Sequence, residues 1–328
     1  MAERLLEVRD LQVAYATEQG DVVPVDHVDL DLDRGEFLAI VGESGCGKST
    51  LLYAIARLLG PPLAGDIVGG SVVFRGRDMV TLSERELRHI RWRELSVVMQ
   101  SAMNALNPVL SIEAQLRDAC RAHSELDRDA IRARSREVLR LVGIDPIHLR
   151  SYPHQLSGGM RQRAMIAMAL LFTPDLVIMD EPTSALDVVA QRSLMRQIKS
   201  LQEQLGFAVV FVTHDMSLVR HFSDRVVVMY AGQVAELAAT RQLFDAPLHP
   251  YTQGLLDAFP SVRGPKVPLT GIPGSPPDLA RPPYGCRFAP RCPHVHERCV
   301  EAPPPVHDVD GDLVRCVLYD RAREEVTA

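Results

Sequence analysis

"FLAIVGESGCGKSTLL", residues 37–52, is the stretch that decides the fold. Phe37–Val41 is an unbroken apolar run ending at a glycine, the pattern of a strand buried on both faces. From Lys48 to Leu59 the apolar spacing becomes helical. Between the two, Gly42–Ser49 matches G-x-x-x-x-G-K-[ST], and a strand before it with a helix after it is the context this motif requires. Glycines let backbone N–H groups turn inward around phosphate oxygens, and the helix N-terminus adds a favourable dipole. A chance glycine-rich turn would not need those flanks. The expectation is a nucleoside triphosphate held by Gly42, Glu43, Ser44, Gly45, Cys46, Gly47, Lys48, Ser49 and Thr50. Lys48 would reach the β- and γ-phosphates and the Ser49 hydroxyl would ligate Mg²⁺.

Outward from this stretch the chain reads as an α/β protein. Segment 4–41 is strand-like, and the period-two alternation Val28-Asp29-Leu30-Asp31-Leu32 predicts a half-exposed antiparallel strand. Residues 83–150 carry Arg, Glu and Leu at helical intervals, which predicts an inserted helical subdomain over about 83–170. Buried strands resume at "DLVIMD" (175–180), "FAVVFVT" (207–213) and "RVVVMY" (225–230), with helices between them, so a sheet with crossover connections is expected. Prolines become dense from about 247, which divides the chain into a domain over 1–246 and an extension over 247–328.

Bulk properties narrow the function classes. The net charge of −6 gives no global basic field for nucleic acid, and aromatics at 5% offer few stacking platforms. Charges in "MAERLLEVRD" interrupt any apolar leader, and the longest apolar run, Ala164–Phe172, is too short to span a bilayer. Residence in the cytoplasm is the expectation, and there disulfides are disfavoured.

Two further motifs carry chemistry. "LVIMDE", Leu176–Glu181, delivers two acids at the C-terminal end of an apolar strand, where ligands bind in open α/β sheets. Asp180 would hold Mg²⁺ and Glu181 would be the general base that polarises the attacking water. "LSGGMRQR", Leu156–Arg163, opens a helical run over Met160–Phe172 with an N-cap hydroxyl at Ser157 and two glycines, Gly158 and Gly159. It reads as a second anion-binding helix N-terminus, or as an ordinary capped helix.

The set "GESGCGKS", "LSGGMRQR" and "VIMDEPTSALD", in this order and at this spacing, resembles the ATP-binding-cassette ATPases. The resemblance implies a P-loop cassette fold: a mixed sheet core, an antiparallel β subdomain and an inserted helical subdomain. It implies a head-to-tail pair of cassettes, each ATP lying between one chain's P-loop and the other's Ser157–Gly159 stretch. It also implies roles at single positions. Tyr15 would stack on adenine, against the plainer reading of a packed strand residue; Gln100 would sense Mg²⁺ and the attacking water. His214 in "FVTHD" would contact the γ-phosphate, where a lone strand-end histidine would otherwise be structural, and Asp187 in "SALD" would lie on a loop at the dimer interface.

Within that family, "LFDAPLHPYTQGLLDAFP" (243–260), "IPGSPPDL" (272–279), "ALNP" (105–108) and the cysteine segment resemble the oligopeptide/dipeptide/nickel importer ATPases. "QSAMNALNP" departs from the family's usual Asp-Pro after the glutamine, in the loop that abuts the membrane subunit. His249-Pro250-Tyr251 reads as a rigid turn leading into a helix over 252–258. The resemblance implies ATP-driven import of di- or oligopeptides at the cytoplasmic face of the cell membrane. The partners would be a second, non-identical ATPase subunit, two transmembrane permeases and an extracytoplasmic peptide-binding protein, with no nucleic acid. A nickel or other small-solute importer, and a non-transport cassette ATPase, remain alternatives.

Four cysteines stand in the tail, Cys286, Cys292, Cys299 and Cys316, with gaps of five, six and sixteen residues. Four thiolates hold zinc or an iron–sulfur cluster. Structural zinc usually takes a pair spaced by two to four residues, and wider gaps suit a larger cluster. The importer resemblance implies a [4Fe–4S] cluster on these four, with zinc or free thiols as the alternatives. The expected extension is thus Cys-rich and cross-linked by its ligands.

Overall fold

The computed structural model describes residues 3–18, 20–60, 65–100, 105–184, 186–258 and 271–320. They group into two compact units, one of Met1–Leu5, Leu32–Phe37 and Thr81–Thr213, the other of Leu6–Asp31, Leu38–Val80 and His214–Ala328.

The unit containing Gly42–Ser49 holds an antiparallel four-stranded sheet in the order Gly20–Asp33, Arg4–Thr17, Gly65–Phe74, Arg77–Asp78. Val28 and Leu30 are buried while Asp29 is exposed, so the period-two alternation does place one face inward. Leu6 lies opposite Phe74 and Tyr15 opposite Gly65, with an irregularity between Arg9 and Val13 that shifts the register. The same unit carries a mixed sheet. Phe37–Val41 runs parallel to Arg225–Tyr230, with Ile40 opposite Val227, and both strands are almost wholly buried. Gln233–Ala239 then pairs antiparallel with Arg225–Tyr230, and Asp312–Arg315 with Gln233–Ala239. Val306–Val309 closes a hairpin on Asp312–Arg315. The C-terminal part of the chain therefore returns to the sheet that carries the glycine-rich loop.

The other unit is built on the parallel strands Leu95–Val98, Leu176–Asp180 and Ala208–Val212, in register Val97–Ile178–Val210. Around them lie helices Ile112–His123, Arg128–Leu141 and Gly158–Ala169, which pack on one another, and the long helix Val188–Leu205. Their starts are written locally. Ser111, Asp127, Ser157 and Asp187 each sit at an N-cap and accept a hydrogen bond from a backbone N–H of the first turn. Arg134 finishes one end. Its Nε donates to the Leu171 carbonyl at 2.7 Å and its Nη2 to the Leu170 carbonyl at 2.9 Å, a cation placed on the negative end of helix Gly158–Ala169. Among the described residues no helix is long and apolar enough to cross a membrane.

Candidate nucleotide-binding site

The Gly42–Ser49 loop is shaped by glycines that cannot be replaced. Gly47 sits at φ +103, and a Cβ there would lie 1.8 Å from the Pro24 carbonyl oxygen. Gly42, at φ +149, would put one 2.2 Å from the Met229 carbonyl oxygen. The loop is thus pressed against two neighbouring strands at points where no side chain fits. Gly232 N–H donates to the Cys46 carbonyl at 2.9 Å and ties the loop to the turn beyond Tyr230.

Helix Lys48–Ile55 begins directly after Gly47, with no side chain capping its N-terminus and no acidic residue in its first turn. Its first N–H groups and positive dipole end are what an anion needs. Lys48 is buried, and its Nζ donates to the carbonyls of Gly42 and Glu43 at 2.8 Å each. The ammonium spans the concave side of its own loop, with Cys46 Sγ 3.7 Å away. Burial pushes the Cys46 thiol upward, against the lowering effect of Lys48, so a neutral thiol lies beneath the loop. Tyr15, half-buried on the antiparallel sheet, lays its ring over Gly65, where a Cβ would meet the ring at 2.7 Å. His214 is exposed ahead of helix Met216–Phe222, which Asp215 caps.

In the other unit the structure brings Gln100 and Glu181 together, Nε2 donating to Oε2 at 2.9 Å. Asp180 ends its strand almost completely buried, at 1% exposure, whereas Glu181 turns out into the half-exposed zone. Glu181 holds φ +46, a left-handed conformation unfavourable for a side chain of its size, and its N–H donates to the Val212 carbonyl at 3.0 Å. Backbone held this way aims a carboxylate. The segment that follows is fastened from two helices: the Gln162 side chain donates to the Pro182 carbonyl, and Gln191 Nε2 to the Thr183 carbonyl at 3.0 Å.

Ser157 is exposed and accepts from Met160 N–H at 3.3 Å, while Gly158 and Gly159 are half-buried. A Cβ added at Gly159 would meet nothing within 4 Å. The Ser157–Gly159 ridge thus opens away from its own unit. Asp187 Oδ1 accepts from Val189 and Ala190 N–H at 3.0 and 2.9 Å. Residues 101–104 of the departing "QSAMNALNP" stretch, and residues 259–260 at the end of the 243–260 stretch, lie outside the described residues.

The cysteine expectation is corrected. Among the described residues no group of three or more His, Cys, Asp or Glu side chains is arranged to hold a metal ion, which removes the [4Fe–4S] cluster and leaves zinc without support. All four tail cysteines are free thiols. Cys299 packs with Ala289 and Val317, and Cys286 lies against that cluster. Burial pushes the thiols of Cys286, Cys292 and Cys316 upward, the last to about 11, which favours the neutral form over the thiolate that a metal needs.

The extension is accordingly not organised by cysteine ligation. Arg287 pairs with Asp26 and donates to the Ala231 carbonyl, Arg298 pairs with Asp320, and Tyr319 Oη donates to the Leu248 carbonyl at 2.8 Å. His249 caps helix Pro250–Asp257, its Nδ1 accepting from Tyr251 N–H at 2.9 Å. Phe288 meets Tyr230 and Tyr251 edge-on at 5.2 and 5.4 Å, those two rings lie tilted at 4.5 Å, and His249 sits beside Phe288. Sequence reasoning also missed two residues on the glycine-rich loop. Tyr251 Oη accepts from Glu43 N–H at 3.0 Å, and Arg291 forks onto the Glu43 carboxylate at 2.7 and 2.9 Å. They stand more than 200 positions from Glu43, and no spacing rule reaches that far.

Residues 25–184 match the ABC transporter family, and residues 235–299 match the oligopeptide/dipeptide transporter C-terminal region. The chain is 43% identical over 98% of its length to the dipeptide transport ATP-binding protein DppD of Bacillus subtilis, covering 97% of that protein. It is 41% identical to the oligopeptide transport ATP-binding protein OppD of Escherichia coli, over 96% of this chain and 93% of that one. Among solved structures, the dimeric ATP-binding cassette MJ0796 in a post-hydrolysis state bound to ADP and Pi superimposes with a TM-score of 0.64 at 29% identity. That match covers 72% of this chain and 99% of the other.

Proposed function

The chain belongs to the ABC transporter family, and from that premise we propose how it works as the ATP-hydrolysing subunit of an importer of di- and oligopeptides. The loop Gly42–Ser49 and helix Lys48–Ile55 hold the phosphates, with Lys48 leaving its loop carbonyls for the β- and γ-phosphate oxygens. Glu43, Ser44, Gly45, Cys46, Gly47 and Thr50 shape that cradle, and Tyr15 stacks on the adenine. Ser49, Asp180 and Gln100 would hold Mg²⁺, whose charge would offset that of the phosphate oxygens. Glu181 takes the proton of the attacking water, Gln100 keeps that carboxylate oriented through the 2.9 Å bond, and His214 contacts the γ-phosphate.

The observation that carries the reading is the uncapped helix N-terminus behind a loop whose glycines are fixed by contact, with Lys48 folded across it. Exposed Ser157, with half-buried Gly158 and Gly159 beside it, serves a second cassette's nucleotide, so that ATP joins two cassettes and hydrolysis parts them. That alternation is a two-state device able to drive permeases between inward- and outward-facing forms. The second cassette is a non-identical relative, the permeases are two transmembrane subunits, and an extracytoplasmic protein delivers the peptide. The chain works at the cytoplasmic face of the membrane, and it divides into a cassette over 1–246 and a peptide-importer region over 247–328. Glu181→Gln tests the chemistry: hydrolysis should fall at least about 100-fold while ATP stays bound and the cassette dimer becomes isolable by size exclusion. Undiminished turnover defeats the assignment. Uptake of labelled dipeptides by the reconstituted complex tests the cargo, and nickel uptake in their place would refute it.

A further inference from the structure

Glu43, the residue after the first glycine of the phosphate loop, is gripped at three points. Its carbonyl accepts from Lys48 Nζ at 2.8 Å, its N–H donates to Tyr251 Oη at 3.0 Å, and its carboxylate takes both arms of Arg291. Two of these three partners come from the C-terminal region. We propose that Arg291 and Tyr251 are positioning residues that hold the phosphate loop in its nucleotide-receiving shape, so that the C-terminal region sets the affinity of the ATP site. The inference rests on Gly42–Ser49 being the phosphate loop.

The geometry is that of a built contact. The Arg291 side chain is 6% exposed. Its Nε donates to the Pro273 carbonyl at 2.8 Å, Nη1 to Glu43 Oε2 at 2.7 Å and to Tyr230 Oη at 3.2 Å, and Nη2 to Glu43 Oε1 at 2.9 Å. A planar fork on a carboxylate, anchored at its third nitrogen, fixes direction as well as distance. Tyr251 is held just as firmly. It is fully buried against Tyr230 and Phe288, one residue into a helix whose cap, His249, donates its own N–H to buried Glu236 at 2.8 Å. Glu236 belongs to the strand Gln233–Ala239, whose other edge pairs with Arg225–Tyr230. The clamp is thus rigid relative to the strand beside the loop. Surface ion pairs stabilise little, but this one is largely withdrawn from water and acts on a loop that must present its N–H groups in one arrangement.

The test measures equilibrium affinity for Mg·ATP and steady-state hydrolysis on the full-length chain. Arg291→Ala, Glu43→Ala and the double variant should each weaken ATP binding about tenfold, the scale of one charge-assisted hydrogen bond, and equally, because they break the same pair. In Arg291→Ala, hydrolysis at saturating ATP should fall less than the affinity does, since the clamp acts on the ground-state site. Arg291→Lys should recover part of the affinity, an ammonium being unable to fork. Tyr251→Phe, which keeps the ring and deletes the hydroxyl, should weaken binding about three- to fivefold. Wild-type affinity in a folded Arg291→Ala, or additive losses in the double variant, would overturn the proposal. Should Arg291→Ala fail to fold, Tyr251→Phe decides, and wild-type affinity there overturns it too. Lys48→Ala separates the two ideas. If it still binds ATP, the phosphate-loop reading itself falls; if it does not, while Arg291→Ala and Tyr251→Phe bind normally, only the clamp falls.

Discussion

Three glycine substitutions separate steric from conformational demands on the phosphate loop. Gly76, Gly45 and Gly47 all have positive φ, at +74, +79 and +103. An alanine in left-handed backbone costs about 1–2 kcal/mol in each case. At Gly76 and Gly45 a Cβ meets nothing within 4 Å, so that is the whole effect on stability. At Gly47 the Cβ would stand 1.8 Å from the Pro24 carbonyl oxygen and 2.9 Å from its carbon, well inside any tolerated contact. Either the strand Gly20–Asp33 or the start of helix Lys48–Ile55 must move by more than an ångström, which should raise the loss beyond about 4 kcal/mol.

Equilibrium denaturation followed by circular dichroism, with Mg·ATP affinity measured alongside, reads both quantities. Gly76→Ala should lower stability slightly and leave ATP binding intact. Gly45→Ala should lose the same stability and also bind ATP more weakly, because the loop's N–H directions depend on its φ. Gly47→Ala should lose both heavily. If Gly47→Ala is no less stable than Gly76→Ala, the close approach of loop to strand is not a constraint and the reasoning fails.

Other outcomes follow from single contacts. Gly159→Arg should leave stability and ATP binding of the isolated chain unchanged, since the space beside Gly159 is open, yet abolish hydrolysis by the assembled transporter; normal turnover there would show that the ridge meets no second nucleotide. Ser157→Ala should destabilise by about 1 kcal/mol through loss of the N-cap bond, read as a lower unfolding midpoint. Gln100→Ala should lower the hydrolysis rate at saturating Mg·ATP, because the bond that orients Glu181 is lost. Burial lowers the His249 pKa from 6.5 to about 4, so the folded chain binds fewer protons than the unfolded chain between those values. The stability His249 contributes is complete above pH 6.5 and should decline by about 3 kcal/mol as pH falls to 4. Glu236, raised by burial, slopes the opposite way, so the comparison is with His249→Asn, which can keep the cap and should lose that acid sensitivity.

What the sequence determined by itself is what local rules encode. Continuous apolar runs marked the buried strands Phe37–Val41, Leu176–Asp180 and Ala208–Val212, and an N-cap at Ser157 marked the helix that begins at Gly158. The helix was expected to extend to Phe172 and stops at Ala169, since an end set by Arg134 on the Leu170 and Leu171 carbonyls leaves no trace in nearby residues. The turn Gly42–Gly47 between a strand and a helix was legible for the same reason: strand, glycines, lysine and helix are contiguous, and backbone sterics act over a few residues.

The tertiary structure decided what depends on convergence. Four cysteines at suggestive intervals read as a ligand set, yet spacing along a chain does not specify where side chains point, and burial keeps three of the four as neutral thiols. Conversely, Arg291 and Tyr251 look unremarkable in sequence and become the grip on Glu43 only once both are packed against Tyr230, on the strand Arg225–Tyr230 beside the loop. Hydrogen bonds between residues some 200 positions apart are specified by the fold as a whole, because nothing short of the assembled sheet brings their atoms within 3 Å.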